Sequence, residues 1–166
     1  MRKWLEMNFG ETNTLSGKAF KDSIVVECIG AIDEANAFIG LAKIFSRKEE
    51  VKELLQEIQK RLFRICEEFA GGRKVGESEL EWIELQIKKM EEEVPKMKSF
   101  VILEKDAPTA LLSVARAIVR KAERRALTLY RNGLVSELSV DWLNKLSYLI
   151  YLLTLKEGEK FEEVHF

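Results

Sequence analysis

The stretch from residue 112 to residue 124 constrains the fold most strongly, because it is an uninterrupted helical pattern. It contains good helix formers, no Gly and no Pro, and its apolar residues recur at three- and four-residue spacing. On a wheel of roughly 100° per residue, Arg116, Arg120 and Glu123 fall within a wedge of about 60°. The apolar residues beside or inside that wedge are Leu112, Val119 and Leu127. Three charges therefore lie on or next to a packing face, where an unpaired charge is costly.

The charged wedge has two interpretations that this stretch alone leaves open. One is a surface helix whose charges pair within the helix, and the other is a polyanion site built between helices. The second has a chemical basis, because the planar fork of arginine holds carboxylates and phosphates. Lys121 and Arg125 point away from the wedge, as side chains on a solvated face do.

Length and charge narrow the class of protein. A chain of 166 residues fits one domain, residues 1–166, with a sizeable core. Its net charge of −1 gives no reason to expect a nucleic-acid partner. The start, Met1–Glu6, has no signal-peptide core, and the apolar run from Leu143 to Leu155 is interrupted and too short for a bilayer. We therefore expect a soluble, cytoplasmic protein with no membrane partner.

The few residues that ligate metals or act as nucleophiles carry no motif. Cys28 and Cys66 lie inside helical patterns without metal-ligand spacing, so we expect two reduced, buried thiols and no metal site made by the protein. His165, the only histidine, lies one residue from the end and is not expected to be catalytic.

Helical periodicity extends over most of the chain and predicts an all-α, five-helix up-and-down bundle with short loops. Residues 1–23 are expected to be irregular. The apolar residues 100–103 are expected to form an extended loop, because no second strand signal exists to pair them. The predicted helices cover residues 24 to about 46, 48–70 and 77–93, then a fourth that opens at 106–109 and runs to about 130, and a fifth that starts after residue 136 or 139 and runs to about 155.

Polar residues and glycines mark the expected helix ends. The candidate N-caps are Ser78, Asp106 and either Ser136 or Ser139. Gly71–Gly72 and Asn132–Gly133 are expected to stop the second and fourth helices.

Three other places carry candidate site residues. The segment from Gly10 to Gly17, followed by Lys18 and Lys21, offers N–H groups, hydroxyls and ammonium groups to phosphates, although a flexible terminus is the alternative. Asp33 shares a stripe with small residues that allow close helix approach, so we expect it to pair with an arginine of another helix, in a structural or a functional ion pair. Asn144 is either a core amide or a ligand contact.

Four blocks of sequence resemble a known family over nearly the whole chain. They are VECIGAIDEANAFIGLA at 26–42, IQKRLF at 58–63, ARAIVRKAER at 115–124 and WLNKLS at 142–147. The four blocks resemble those of the ATP:corrinoid adenosyltransferases of the PduO type. They occur in the order of that family and at compatible spacings.

The resemblance implies a ferritin-like five-helix bundle that assembles as a homotrimer, with ATP and corrinoid meeting at each subunit interface. It implies transfer of the 5′-deoxyadenosyl group of ATP to cob(I)alamin, with Mg²⁺ on the phosphates. Because Co(I) is itself the nucleophile, no catalytic Ser, Cys or His is required. A cobalamin reductase and an adenosylcobalamin-dependent mutase are the expected protein partners.

The resemblance also implies roles for individual residues. The expected catalytic residues are Arg120, Asp33 and Arg116, with Asp33 paired to Arg116 across the subunit boundary. Phe100 is expected to lie against the corrin and help displace the lower ligand of cobalt. The residues expected to bind ATP are Gly10, Thr12, Thr14, Lys18, Lys21, Arg120, Glu123, Arg124 and Asn144.

The chain departs from the family pattern at several positions. Residues 103–105 replace a PGG sequence, Lys121 and Lys145 replace arginines, and Tyr148 replaces an aspartate. Lysine does not reproduce the planar fork of arginine. The alternative function is therefore a non-catalytic protein that binds corrinoid or nucleotide, or delivers adenosylcobalamin.

Overall fold

Five long helices carry almost the whole hydrophobic core, as the periodicity predicts. The structure, a computed structural model, describes residues 9–165. The helices are α1 Ile24–Phe45, α2 Glu49–Phe69, α3 Glu77–Glu93, α4 Ala107–Arg131 and α5 Glu137–Glu157. Four short strands accompany them: β1 Glu11–Thr14, β2 Gly17–Phe20, β3 Phe100–Ile102 and β4 Glu162–Val164.

Helix α4 lies at the centre of the bundle, between α1 and α5. Helix α2 packs on α1, and α3 packs mainly on α5. The core-facing side of α4 contains Leu112, Ala115, Val119, Ala122 and Ala126, all fully buried. Because most of these residues are small, the neighbouring helices approach α4 closely. The charged wedge lies beside this face.

The predicted helix signals act at most of the expected positions. The Asp106 carboxylate accepts a hydrogen bond from the backbone N–H of Thr109 at 3.0 Å, and the Thr109 hydroxyl accepts from the backbone N–H of Asp106 at 3.1 Å, which completes a capping box. Ser136 caps α5. The prediction for Ser78 is wrong, since Gly76 occupies the N-cap of α3 and Ser78 lies inside its first turn.

The N-terminal segment is not irregular throughout, which corrects the prediction. Strands β1 and β2 form an antiparallel hairpin over residues 11–20, in which Thr12 lies opposite Ala19 and Asn13 opposite Lys18. The alternation of side chains in four-residue strands is too short to stand out from a polar loop. Residues 1–8 of the predicted segment lie outside the described residues.

The prediction of an unpaired apolar loop at residues 100–103 is also wrong. Phe100, Val101 and Ile102 form β3, which pairs antiparallel with β4 near the end of the chain, so that Phe100 lies opposite Val164. The partner strand has the sequence EEV, in which charge conceals the strand signal.

Cys28 is a buried free thiol as predicted, whereas Cys66 is only half-buried. Within residues 9–165, no helix has the length and apolar character needed to cross a membrane.

Candidate functional site

The charged residues of α4 fall into two groups on opposite sides of the helix. Lys121 Nζ lies 2.5 Å from the Glu34 carboxylate, and Arg125 lies 3.1 Å from that of Glu27. Both side chains are exposed, as expected for a solvated face, but their bridges to α1 were not expected. These two bridges neutralise the side of α4 that faces α1.

The opposite side of α4 keeps its charges without carboxylate partners. Arg120 and Arg124 are exposed, and Arg116 and Glu123 are half-buried. Among the described residues, none of these four side chains forms an ion pair. Pairing within the helix, the first interpretation of the wedge, does not occur here. Three guanidinium groups are left on one side, a suitable arrangement for a polyanion.

Helix α5 returns antiparallel to α4 and presents a polar strip beside this charged side. Asn144 is exposed on that strip, which excludes a core amide, one of the two alternatives that the sequence left open. Tyr148, one turn further on, donates a 2.8 Å hydrogen bond to Glu91, which raises the pKa of the phenol. Asn144 is thus accessible to a ligand.

A cavity of about 590 Å³ adjoins the N-terminal half of the charged side. Arg116 lines it from α4, Tyr151 from α5, Phe100 from β3 and Val164 from β4. The Nε atom of Arg116 is buried and has no hydrogen-bond acceptor among the described residues. The cavity thus combines an apolar wall with one unsatisfied cationic donor.

Sequence reasoning found Arg116 and Phe100 but missed the rest of this wall. Tyr151 shares its strip with Asn144 and is detectable only as part of that pattern. Val164 belongs to a charged tail that gave no site signal. The connector residues Met97 and Ser99, which also line the cavity, have no motif either.

The N-terminal hairpin places its candidate ATP-binding residues on both of its faces. Thr12 and Thr14 share the more buried face, whereas Lys18 lies on the exposed face and forms a 3.5 Å ion pair with Glu11. The hairpin therefore does not bring the threonines and Lys18 together on one surface.

Two glycines at the end of α2 seat the hairpin. The backbone N–H of Ser16, in the hairpin turn, donates to the Ala70 carbonyl at 3.0 Å. A Cβ atom on Gly71 would lie 2.5 Å from Ser16 Cβ, and one on Gly72 would lie 2.9 Å from Leu15 Cδ1. Only glycines leave room for this contact.

The chain closes the base of the hairpin just before α1. Gly10 adopts a φ of 80°, and its carbonyl accepts a 2.8 Å hydrogen bond from the backbone N–H of Lys21. This contact fixes the backbone of Lys21, while its side chain is exposed. Ser23 then caps α1.

Asp33 lies on a different surface from Arg116, and the two form no ion pair within the described chain. Asp33 is exposed on α1 and lines a cavity of about 240 Å³ between α1 and α2. In the same cavity, the Oδ1 atom of Asn36 is buried without a hydrogen-bond partner among the described residues. Burial, followed by the Asp33 carboxylate, raises the pKa of the Cys66 thiol.

The stripe of small residues around Asp33 is only partly covered: the Gln59 side chain of α2 packs on Gly40, where an added Cβ would lie 2.8 Å from Gln59 Nε2. Gly30 and Ala37 are both exposed on it. Large apolar residues accompany them: Ile44 is 73% exposed and Phe63 is 67% exposed. Within one copy, the expected close approach of another helix therefore occurs at the Gly40 end of the stripe, where Gln59 also donates a 3.1 Å hydrogen bond to the Asn36 carbonyl, and the Gly30 and Ala37 positions stay exposed.

Residues 9–165 contain no group of three or more His, Cys, Asp or Glu side chains placed to hold a metal ion. A divalent cation at the charged side of α4 would therefore take its ligands chiefly from a bound phosphate chain and water, which is how Mg²⁺ often binds in nucleotide sites.

Comparison with known proteins gives a consistent result. The family model described as cobalamin adenosyltransferase matches residues 8–157. A corrinoid adenosyltransferase of Bacillus subtilis (strain 168) is 34% identical over 147 residues, covering 83% of this chain and 76% of that protein. The corrinoid adenosyltransferase PduO of Salmonella typhimurium is 28% identical over 157 residues, covering 89% of this chain and 47% of that protein.

Solved structures show the same fold. A variant of the PduO-type ATP:corrinoid adenosyltransferase from Lactobacillus reuteri, complexed with ATP, superposes with a TM-score of 0.81 at 25% identity. The match covers 89% of this chain and 88% of that one. A second variant of the same protein, complexed with cobalamin and ATP, superposes with a TM-score of 0.78 at 24% identity, covering 88% of this chain and 87% of that one.

Proposed function

Since the chain belongs to the cobalamin adenosyltransferase family, we propose that it transfers the 5′-deoxyadenosyl group of ATP to cob(I)alamin. Co(I) attacks the C5′ carbon of ATP, the cobalt–carbon bond forms, and the C5′–O bond breaks. The electron pair of that bond leaves with triphosphate, and the other product is adenosylcobalamin. The protein supplies binding, orientation and charge stabilisation, because the cobalt is the nucleophile.

The triphosphate binds along the unpaired side of α4 in this proposal. Arg120 and Arg124 face that side, and Arg120 neutralises the charge that grows on the leaving triphosphate. Glu123 and Asn144 contact the nucleoside end of ATP. The guanidinium forks are free for this role because no described carboxylate occupies them.

The hairpin at residues 11–20 covers the phosphates from the other side. Thr12 and Thr14 supply hydroxyl groups. Gly10 adopts a positive φ, a backbone conformation that residues with a side chain rarely adopt. Lys18 and Lys21 supply positive charge at the rim. Mg²⁺ would bind the phosphate oxygens and neutralise part of their negative charge.

Corrinoid binds at the cavity that Arg116, Tyr151 and Phe100 line. The apolar wall at Phe100 keeps water and the lower axial ligand away from cobalt, which favours a four-coordinate ion that is easier to reduce. A cavity of about 590 Å³ encloses only part of so large a substrate, so the remainder lies against solvent or a second copy.

A homotrimer completes the site in this proposal, because Asp33 of one copy pairs with Arg116 of the next. The exposed apolar residues beside Asp33 support an interface on the α1–α2 surface. A carboxylate at this interface would also give Arg116 the partner that it lacks within one chain.

In the cell, the protein is proposed to act in the cytoplasm as one member of a short series. A cobalamin reductase supplies the electrons for Co(I), and an adenosylcobalamin-dependent mutase uses the product. The reductase follows from the need for Co(I), and the mutase is a partner that the family resemblance implies.

The observation that carries the proposal is the row of unpaired arginines on α4, next to a cavity with an apolar wall. We would test it anaerobically with ATP, Mg²⁺ and chemically reduced cobalamin, following the visible spectrum of the cobalt–carbon product and the release of triphosphate. Product should require all three reactants. Tight ATP binding without product would instead favour the non-catalytic binding or delivery function, and absence of ATP binding would refute both.

A further inference from the structure

We infer that Phe161, seated over Gly158, positions Phe100 at the corrin side of the site and is a positioning residue for the reaction. The inference rests on the proposed function, since it gives Phe100 its role. Phe161 does not line the cavity around Arg116. Its effect on the reaction would therefore pass through the two strands.

Strand β3 is attached to the core through Val101 and the buried Leu103 that follows it, whereas Phe100 at its start is exposed. It consists of three residues, and its pairing partner in the described chain is the three-residue β4. An isolated two-stranded ribbon is marginally stable in water. Because Phe100 lies at the end of β3 away from Leu103 and opposite Val164, we expect its position to depend also on the anchor of β4.

The anchor of β4 is the contact between Phe161 and the end of α5. Gly158 is the C-cap of α5, and its N–H donates a 3.0 Å hydrogen bond to the Thr154 carbonyl. A Cβ atom on Gly158 would lie 2.4 Å from Cζ of the Phe161 ring. The ring thus occupies the space that any other residue at 158 would fill.

The contact also fixes the direction of the chain. Phe161 is partly buried against the core, and three residues later Val164 lies opposite Phe100. Both Val164 and Phe100 line the cavity that contains Arg116. A shift of the Phe161 ring would move β4 and, through the ladder, β3.

Gly158→Ala is the most informative variant, because it displaces the ring without removing it. Gly158 has a φ of −81°, which alanine adopts without strain. The added Cβ would lie 2.4 Å from Cζ of Phe161, which is too close. Because Cζ is at the far end of that side chain, the ring swings away at little cost to the fold. Gly76→Ala is the matched control, since Gly76 is also a helix cap and an added Cβ there makes only an ordinary contact at 3.9 Å.

The measurements are KM for cobalamin, KM for ATP, and the fraction of bound cob(II)alamin that has lost its lower ligand with ATP present. We expect Gly158→Ala and Phe161→Ala to raise KM for cobalamin and lower that fraction by at least about fivefold each, with KM for ATP within about twofold. Phe161→Leu, which keeps an apolar group over Gly158, should restore much of the loss.

Two results would overturn the inference. One is an unchanged cobalt spectrum and cobalamin KM in folded Gly158→Ala and Phe161→Ala proteins. The other is an equal rise in both KM values together with a lowered melting temperature, which would make Phe161 a packing residue only. Failure of the proposed function is distinguishable, since the unsubstituted protein would then form no adenosylcobalamin.

Discussion

Cationic side chains on α4 differ in role because they differ in neighbours. Lys121 and Arg125 reach carboxylates of α1, so their charge is neutralised by ion pairs on the surface of the fold. Arg116, Arg120 and Arg124 have no such carboxylate in the described chain. The buried Nε of Arg116, left without a partner, is costly for stability, and the proposed binding of an anionic substrate would account for its retention.

Replacing Arg120 by alanine tests this assignment at the level of one residue. We expect turnover to fall at least about 100-fold, the usual cost of losing a group that stabilises developing negative charge. Because Arg120 is exposed, the melting temperature should stay unchanged. Steady-state kinetics and thermal unfolding measure both. Arg131→Ala, an exposed arginine in the last turn of the same helix, is the control, and a near-normal rate for Arg120→Ala would contradict its role.

Residue patterns predicted the charged wedge but not the partners of its neighbours. A helical wheel gives directions around one helix, so it separated Arg116 and Arg120 from Lys121 and Arg125. It contains no information on which helix lies opposite, and the bridges to Glu34 and Glu27 were therefore missed. The sequence left Asn144 open between a core amide and a ligand contact for the same reason, because burial depends on neighbouring helices.

The N-cap of α4 is the element on which the site helix depends. Burial of the Asp106 carboxyl raises its pKa, but hydrogen bonds donated by Thr109 and Arg47 outweigh that effect and hold the pKa below its ordinary 3.8. The stabilisation that comes with this lowered pKa is present above about pH 3.8. It is lost as the pH falls through the lower folded-state value.

We therefore expect Asp106→Ala to lower the free energy of unfolding by about 1–2 kcal/mol at neutral pH. The difference from the unsubstituted protein should shrink at acidic pH, since protonation then weakens the cap in both. Urea denaturation at neutral and acidic pH measures this. An equal difference at pH 7 and below pH 3 would show that the charge of Asp106 is irrelevant to the cap.

The hairpin of β1 and β2 provides a second test at the level of elements. Gly71 has a φ of 88°, and a Cβ there would overlap Ser16 in the hairpin turn. Gly71→Ala should unseat the hairpin, and we expect KM for ATP to rise at least about threefold while KM for cobalamin changes little.

Gly133→Ala is the matched control for this experiment. Gly133 has a similar φ of 71°, but an added Cβ there has no neighbour within 4 Å. It carries the backbone strain without the overlap. If both variants raised KM for ATP equally, strain in general, and not loss of the hairpin seat, would be the cause.

Long elements were predictable from sequence and short ones were not. Five helices of 17 to 25 residues each repeat their apolar pattern over several turns, so their number and approximate ends were correct. The strands have only three or four residues. Strands β3 and β4 form by pairing with each other, which is a tertiary effect that no local pattern records.

At the scale of the whole molecule, one copy contains two incomplete surfaces. Arg116 and Asp33 line separate cavities, and the proposed trimer joins them across copies. Mixing Asp33→Ala with Arg116→Ala protein tests this. Where an Arg116→Ala copy supplies the native Asp33 and the neighbouring Asp33→Ala copy supplies the native Arg116, the interface has both native residues.

Each variant alone should have little corrinoid activity. After unfolding and refolding together at equal amounts, random assembly would make about one interface in four fully native, so activity should recover to about a quarter of normal. Sedimentation should report trimers throughout. Two Arg116→Ala preparations mixed in the same way are the control. Absence of recovery in folded mixed trimers would show that the two residues do not act across an interface.

The assembly could be predicted only through family resemblance. Nothing in the periodicity of α1 distinguishes a stripe that packs against another helix of the same chain from one that packs against a second copy. The exposed Ile44 and Phe63 became informative once the fold showed that no described element covers them.

A crystal structure of the protein with ATP and Mg²⁺ tests the central claim most directly, because it shows where the triphosphate lies. We expect the triphosphate to contact the guanidinium of Arg120, with the hairpin at residues 11–20 closed over it. The C5′ carbon should point toward the cavity lined by Arg116 and Phe100. A nucleotide bound elsewhere, with Arg116, Arg120 and Arg124 facing solvent in the same crystal, would contradict the claim.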